Sequence, residues 1–416
     1  LLSEKSNNFF ASLSEFEKHF GLSVLDISTG ELIALELDSM HQFKAELWRF
    51  KPKEILAPKR FIAKHQELFN ELRLCYSPLV NPHDDWRFEP LGACEFLKSH
   101  LQVKTLEGFG LEESSAAVAS AGALLSYIQD FLRLPINHIR TIKSFSYEDH
   151  MVLDPTAQRN LELSESMRSS AKHTLYSVLD QTSTPMGARL LMHWVKHPLL
   201  SPHKIEMRQQ AIVALLNNEK ARRRLESDLT YVKDLERLMM KITSGFVAPK
   251  DLAFLKESLK PLKEVKNIST LLGSHSEFLQ EHADNINVHS ELFHLIDSTL
   301  VDEPPFRIGD GPLFKKGFHQ ELDELRLIGQ DGKQWLSDYQ ESLRTSTGIK
   351  TLKVGYNRMF GYYIEVSKGQ AGNAPSSFLR RQTLVNAERF ITDELKSFEE
   401  KVFSANDKIE KLEQEL

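Results

Sequence analysis

Three groups of residues have types and spacings that chemistry can use. His193 and His197 stand four apart, the interval that brings two imidazoles to one face of a helix and can offer a metal two ligands. No acidic or cysteine partner follows at a useful interval, so the pair reads as a surface or core-edge feature, and His289 and His294 fare no better. A phosphate-cradling loop needs Gly-x-x-x-x-Gly-Lys-Ser/Thr, in which backbone amides surround the phosphates and the lysine reaches the terminal one. Gly332-Lys333 runs on into Gln334, and the string GDGPLFKKG has the wrong spacing.

The third group is basic. Residues 344–391 carry Arg344, Lys350, Lys353, Arg358, Lys368, Arg380, Arg381 and Arg389 against Glu365 and Glu388, a net +6 within a chain of net −6, which leaves −12 on the rest. A basic segment on an acidic body fits a local grip on phosphates, and the alternative is a solvated charged face.

Such a grip needs elements to hold it. Ile391, Leu395, Phe398, Val402, Ala405, Ile409, Leu412 and Leu416 alternate steps of four and three, which predicts an unbroken heptad seam along one long helix. Leu322, Leu325, Gly329, Gly332, Leu336, Tyr339 and Leu343 keep the same rhythm, with glycines that let backbones approach or loosen the helix. Two long helices therefore bracket residues 344–391. Between them TLKVGYNRMFGYYIEVS reads as two strands around Asn357 to Gly361, and GQAGNAPSS as a loop. The implied geometry is a long antiparallel helical arm with a small β-rich tip.

The remainder is organised differently. FGLSVLDIS and ELIALEL are β-rich runs separated by Thr29-Gly30, a hairpin signature, and HQFKAELWRF and KEILAP follow as a helix and a short run. Residues 1 to about 140 thus predict a small α/β domain. Beyond about 150 helical patterns dominate, with Thr184-Pro185 and Ser201-Pro202 each reading as an N-cap followed by proline at the first helical position. The 416 residues suffice for two to four domains, and no apolar run approaches the ~20 residues of a membrane span. Cys75 and Cys94 fall in no metal-like pairing and suit a reducing cytosol. Leu1 at the start and KIEKLEQEL at the end look cut, so we read the chain as part of something longer.

At these residues the sequence resembles the MutS family of DNA mismatch-repair proteins. The stretch from LDPTAQRNLELSESMRSSAKHTLYSVLDQ to KIEMRQQAI is similar to the opening of that family's core domain. TLKVGYNRMFGYYIEVSKGQ and FLRRQTLVNAERFITDELKSFEEKV look like its clamp and the helix descending from it, and FGLSVLDISTGEL and LEGFGLEE like its connector. The match spans nearly the whole chain in family order. It implies a multidomain α+β fragment: a ribonuclease-H-like α/β connector, a mainly α-helical core with long antiparallel lever helices, and a small β-rich clamp at the tip. The implied boundaries are 1–140 for the connector, 141–343 and 400–416 for the core and levers, and 344–399 for the clamp.

By the same resemblance Lys350, Lys353, Arg358, Lys368, Arg380, Arg381, Gln382 and Asn386 meet the DNA backbone, the last four near the start of a helix, where unpaired amides favour anions. Internal pairing is the alternative, for instance Arg381 with Glu388. About half of Lys350, Lys353, Arg358 and Lys368 should face DNA, given strand alternation. Many relatives carry lysine where this chain has Val385, which deprives Asn386 of a basic neighbour.

Duplex DNA through the clamp and MutL through the connector are the implied partners. The full-length protein is expected to be a cytoplasmic, nucleoid-associated homodimer, and the fragment a monomer. The parent is expected to be a DNA-dependent ATPase whose ATP and Mg belong to a domain outside this sequence, so the chain itself is expected to be no enzyme and to hold no cofactor or metal. The family's mismatch-reading Phe-x-Glu motif has only chance counterparts in Phe69-Asn70-Glu71 and Phe398-Glu399-Glu400. Two other readings stay open. Asp26, in the first strand of a ribonuclease-H-like domain, would centre a metal-dependent nuclease, although no second and third acid are evident; otherwise it stabilises the hairpin. The last reading is a helical scaffold that never touches DNA.

Overall fold

Phe20 to Leu25 and Leu32 to Leu37 build the predicted hairpin: strands β2 (His19–Asp26) and β3 (Glu31–Leu37) pair antiparallel across a turn at Thr29-Gly30. The computed structural model describes residues 4–144, 150–167, 173–357 and 361–416, with the side chains of Pro155 and of residues 328–333 outside that description. It divides into two units, Leu1–Val247 with Phe254–Phe293, and Ala248–Ala253 with His294–Leu416. The fold is mixed α+β, mainly helical, with two sheets among the described residues.

A strand precedes the hairpin that its sequence pattern does not mark. β1 (Phe9–Phe16) pairs antiparallel with β2 through a two-residue turn, where Glu17 and Lys18 both take positive φ, 49° and 74°. That backbone matches the twist of a hairpin. β4 (Glu54–Pro58) and β5 (Leu79–His83) add in parallel, giving the order β3-β2-β1-β4-β5.

Helices cover both faces. Met40–Phe50 and Gln66–Cys75 pack on Leu13, Leu22, Val24 and Leu35, while Pro90–Leu101 and Ala116–Asp130 pack on Phe10, Leu25 and Leu56. The last of these helices lies unusually close to the sheet. Its AAVASAGALL sequence is buried almost throughout, and the β1 and β2 residues beneath it are Ser12, Ser14, Gly21 and Ser23. Ser14 Oγ donates to the carbonyl of Ala116 at 2.7 Å, and Ser23 Oγ meets Ser120 Oγ at 2.7 Å. Small residues are required there, and that requirement breaks the hydrophobic alternation by which strands are recognised.

In the helical part of this unit both predicted caps form. Thr184 accepts from Gly187 N at 3.0 Å before helix Pro185–Lys196, and Ser201 accepts from Lys204 N at 3.4 Å before helix Pro202–Asn217. Arg189, 5% exposed, forks onto Asp234 at 2.7 and 2.8 Å, reaches Glu236 at 2.6 Å and donates to the Glu4 carbonyl at 2.8 Å. One buried guanidinium thus ties the segment entering β1 to the start of helix Leu235–Thr243.

The second unit contains the two long helices, Gln320–Thr347 and Asp393–Glu415. They run antiparallel: Arg326 meets Glu413 at 2.8 Å, Trp335 stacks on Phe398 at 4.1 Å, and Tyr339 meets Thr392 at 2.6 Å. Leu395, Phe398, Val402, Ala405, Ile409 and Leu412 are the buried or partly buried positions expected of the seam. Its ends differ from the expectation. Ile391 lies in a strand, because Thr392 caps the helix after it, and Leu416 is exposed. Gly329 and Gly332 fall in the stretch whose side chains are not described.

A Cβ on Gly21 would sit 2.0 Å from the Ala116 carbonyl oxygen, and a helix backbone cannot yield as a side-chain end can. Gly21→Ala should therefore destabilise the first unit by roughly 1–3 kcal/mol or more. The measurement is a urea titration of both proteins, and an unshifted midpoint would contradict the close packing.

Candidate nucleic-acid interface

Between the two long helices the chain builds a four-stranded sheet. β6 (Lys353–Asn357) and β7 (Gly361–Ser367) form the predicted hairpin with Asn357 opposite Gly361. β8 (Leu379–Thr383) and β9 (Ala387–Ile391) complete it in the order β6-β7-β9-β8, all antiparallel. Ile364, Val366 and Phe390 turn one face onto Tyr339, Leu352, Phe378 and Leu395, a core of its own. Alternation then places Lys353, Tyr363, Glu365 and Arg389 on the opposite face.

The sheet has two unlike ends. At one, Tyr362 packs on Phe398 and Tyr356 on Phe403, side chains of the descending helix. The other end collects the start of β6, the end of β7 and the turn between β8 and β9. Lys350, Lys353, Lys368 and Asn386 gather there, all exposed. The Lys368 amide donates to the Asn386 carbonyl at 3.0 Å, the Leu384 amide to the Ala387 carbonyl at 2.8 Å, and Val385 between them is 85% exposed.

The remaining candidates sit on the edge strand. Arg380, Arg381 and Gln382 belong to β8 and Asn386 to a turn, so none lies at a helix start as expected; the helix begins at Asp393 behind its Thr392 cap. β9 intervenes because AERFI pairs with β7 before the chain turns helical. The internal pairing also differs from the expectation. Glu388 takes Arg380, not Arg381, since a bulge between Arg380 and Gln382 shifts the alternation by one residue. Arg381 at the bulge is exposed. Arg358 lies outside the described residues.

Two further residues of the basic set are committed inside the protein. Arg344 Nε donates to the Leu352 carbonyl at 2.7 Å, fastening the ascending helix to β6. Arg389 donates through Nε to Glu365 at 2.9 Å and through Nη1 to Gln382 Oε1 at 3.1 Å, with its guanidinium 4.1 Å from the centre of the Tyr363 ring. The Tyr363–Glu365 and Arg389 group is absent from the site expected from sequence. The two-residue period of GYYIEVS puts Tyr363 and Glu365 on one face, and the pairing of β7 with β9 brings Arg389 to them.

The other chemical candidates resolve structurally. Asp26 ends the second strand of its sheet, not the first, because β1 precedes it. One carboxylate oxygen accepts from Asn7 Nδ2 and Asn8 N, both at 3.1 Å; the other accepts from Ser28 N at 2.9 Å and Ser28 Oγ at 2.7 Å. Four donors on a fully buried carboxylate make it the organiser of the hairpin turn. Among the described residues no group of three or more His, Cys, Asp or Glu is arranged to hold a metal. His193 and His197 stack at 4.0 Å with His150 beside them, and His197 Nδ1 donates to the His193 carbonyl at 2.8 Å. Burial pushes His193 down to about 4 and His197 to about 2. Among the described residues no helix is long and apolar enough to cross a membrane.

The sequences of known proteins match this chain along its length. The family model described as MutS domain II matches residues 8–140, and that described as MutS domain III matches residues 156–416. The DNA mismatch repair protein MutS of Protochlamydia amoebophila is 49% identical over all of this chain, which covers 48% of that protein. The proteins of the same name from Chlamydia abortus and Symbiobacterium thermophilum are each 38% identical over all of it, with 50% and 48% of their lengths covered. The chain spans about half the length of the curated relatives it matches.

The buried histidines make stability depend on pH. His193 and His138 are held near 4, chiefly by burial, against about 6.5 when unfolded. As pH falls below 6.5 the unfolded chain takes up protons that the folded one refuses, so stability present above 6.5 is lost progressively toward pH 4. The unfolding free energy from urea titration should drop between pH 7.5 and 5, by roughly 1 kcal/mol per pH unit. His193→Gln should flatten that dependence, and equal slopes in the two proteins would refute the assignment.

Proposed function

The chain belongs to the MutS family, and we propose that it serves DNA mismatch repair by closing its β-rich tip on the duplex backbone without reading sequence. The observation that carries this reading is the gathering of Lys350, Lys353, Lys368 and Asn386 at the sheet end away from the descending helix, with Arg381 exposed on the neighbouring edge. Cations in that layout release counterions when they meet phosphates. Arg380 contributes only as far as Glu388 shares it, and Gln382 and Asn386 offer neutral donors. Phosphate contacts carry no base information, so the grip sets position and leaves discrimination to other parts of the protein.

The finer assignments rest on family membership with structural support. Residues 1–140 serve as the connector; a meander followed by two parallel strands supports the ribonuclease-H-like reading. Residues 141–343 and 400–416 are the core and levers, and 344–399 the clamp. The antiparallel helices supply a stiff arm between the tip and the ATPase of the full-length protein, where ATP and Mg act. The connector docks MutL, and the whole works as a homodimer in the cytoplasm. A nuclease centred on Asp26 is disfavoured by the four donors that already occupy its carboxylate.

Binding should be weak, with a dissociation constant of ~10⁻⁴ to 10⁻⁶ M at physiological salt. Lys368→Ala with Arg381→Ala should lower the slope of log affinity against log salt by about two units, equally on matched and mismatched duplexes. Fluorescence anisotropy across a salt series reads both quantities. An unchanged slope would favour the scaffold that never touches DNA, and a preference for the mismatch would contradict a backbone grip.

A further inference from the structure

Resting on that reading, we propose that Arg389 is a positioning residue that turns the side-chain amide of Gln382 so that its NH2 group faces outward as a phosphate donor. The outer face of the tip carries a row across all four strands: Lys353 on β6, Glu365 on β7, Arg389 on β9 and Gln382 on β8. Arg389 is the hub of the row. Its side chain is 18% exposed, and its charge is met by Glu365 at 2.9 Å.

The face of its guanidinium rests on Tyr363, which itself lies against Gly355; a Cβ on that glycine would be 2.9 Å from the ring. Glycine opposite the tyrosine therefore lets the ring lie flat, and the ring fixes the plane of the guanidinium. With Nε on Glu365, the fork has a second donor, Nη1, aimed at Gln382 Oε1 on the neighbouring β8, 3.1 Å away.

The polarity of this contact is what matters. A guanidinium has donors only, so the amide atom facing it must be the oxygen. The NH2 group then points away from Arg389, and among the described residues nothing is paired with it. An unconstrained glutamine presents oxygen and nitrogen equally, and half of its orientations repel a phosphate. Arg389 removes those orientations. It also keeps β8 in register beside the bulge that exposes Arg381. Its own charge is neutralised by Glu365 and contributes no counterion release, although Arg389 is one of the basic residues that make this segment cationic.

The test uses the whole chain, a duplex of ordinary sequence and anisotropy across a salt series. Gln382→Ala should weaken binding by about tenfold at every salt concentration with the slope unchanged, as expected for one lost hydrogen bond to a charged acceptor. Gln382→Glu keeps an acceptor for Arg389 and replaces the donor with oxygen, so it should weaken binding further while its thermal midpoint does not fall. Arg389→Met with Glu365→Gln leaves net charge unaltered and should mimic Gln382→Ala, with no further loss when the two are combined.

Three outcomes would overturn the proposal: wild-type affinity in Gln382→Ala, a slope reduced by about one in the charge-neutral pair, which would put Arg389 itself on a phosphate, or fully additive losses. The single Gln382 variants on an edge strand decide the matter if the pair does not fold. Absence of salt-dependent binding by the wild type would sink the DNA grip and this role together. A slope that falls on replacing Lys368 and Arg381, beside an inert Gln382, would sink only the positioning role.

Discussion

One hydroxyl sits where three elements of the tip must meet. Thr392 Oγ1 accepts from Leu395 N at 3.2 Å, capping the descending helix, and lies 2.6 Å from Tyr339 Oη on the ascending one, both residues buried. It also ends β9, so the sheet leaves its last strand and enters the helix at a point fixed against the other helix. Trp335 continues the anchor by stacking between Tyr339 at 4.7 Å and Phe398 at 4.1 Å. The sheet is thus held at its root on two antiparallel helices.

That constraint also explains what the sequence shows and hides. The seam from Leu395 to Leu412 is legible because every third or fourth position faces the same partner. Ile391 continues the rhythm by coincidence, one step before a helix that has not begun. The true boundary was written in other terms: threonine, then Asp393 and Glu394 in the first turn, the cap and the acids that suit a helix N-terminus. Periodicity alone therefore carries the helix back past its cap, to Ile391, the last residue of β9. β8 is hidden for a different reason. LRRQT is an exposed edge strand with little apolar content, and its bulge defeats strict alternation. The same bulge is why the partner of Glu388 is Arg380 and not its neighbour.

Charge likewise reads correctly as a sum and incompletely as a site. The net +6 of residues 344–391 is a property of sequence, but pairing redistributes it. Arg380 with Glu388 and Arg389 with Glu365 cancel locally, and Arg344 is spent on a backbone carbonyl. What remains outward among the described residues is Lys350, Lys353, Lys368 and Arg381, compact point charges and one planar fork.

The first unit follows the opposite rule: its buried charges are engaged by groups of its own. Asp26 is a fully buried carboxylate whose two oxygens accept from Asn7, Asn8 and Ser28. Arg189 is surrounded by Asp234, Glu236 and a backbone carbonyl. Removing Asp234 would leave the buried Arg189 charge short of its main partner, at a cost of about 3–5 kcal/mol, so this ion pair, like the Asp26 turn, holds elements in place. The contrast separates charges that hold the fold from charges that stay in water. A charge that is to meet an external phosphate must stay hydrated until the encounter, and the described cations of the tip that do so are those the fold leaves unpaired at the far end of the sheet and on its bulged edge.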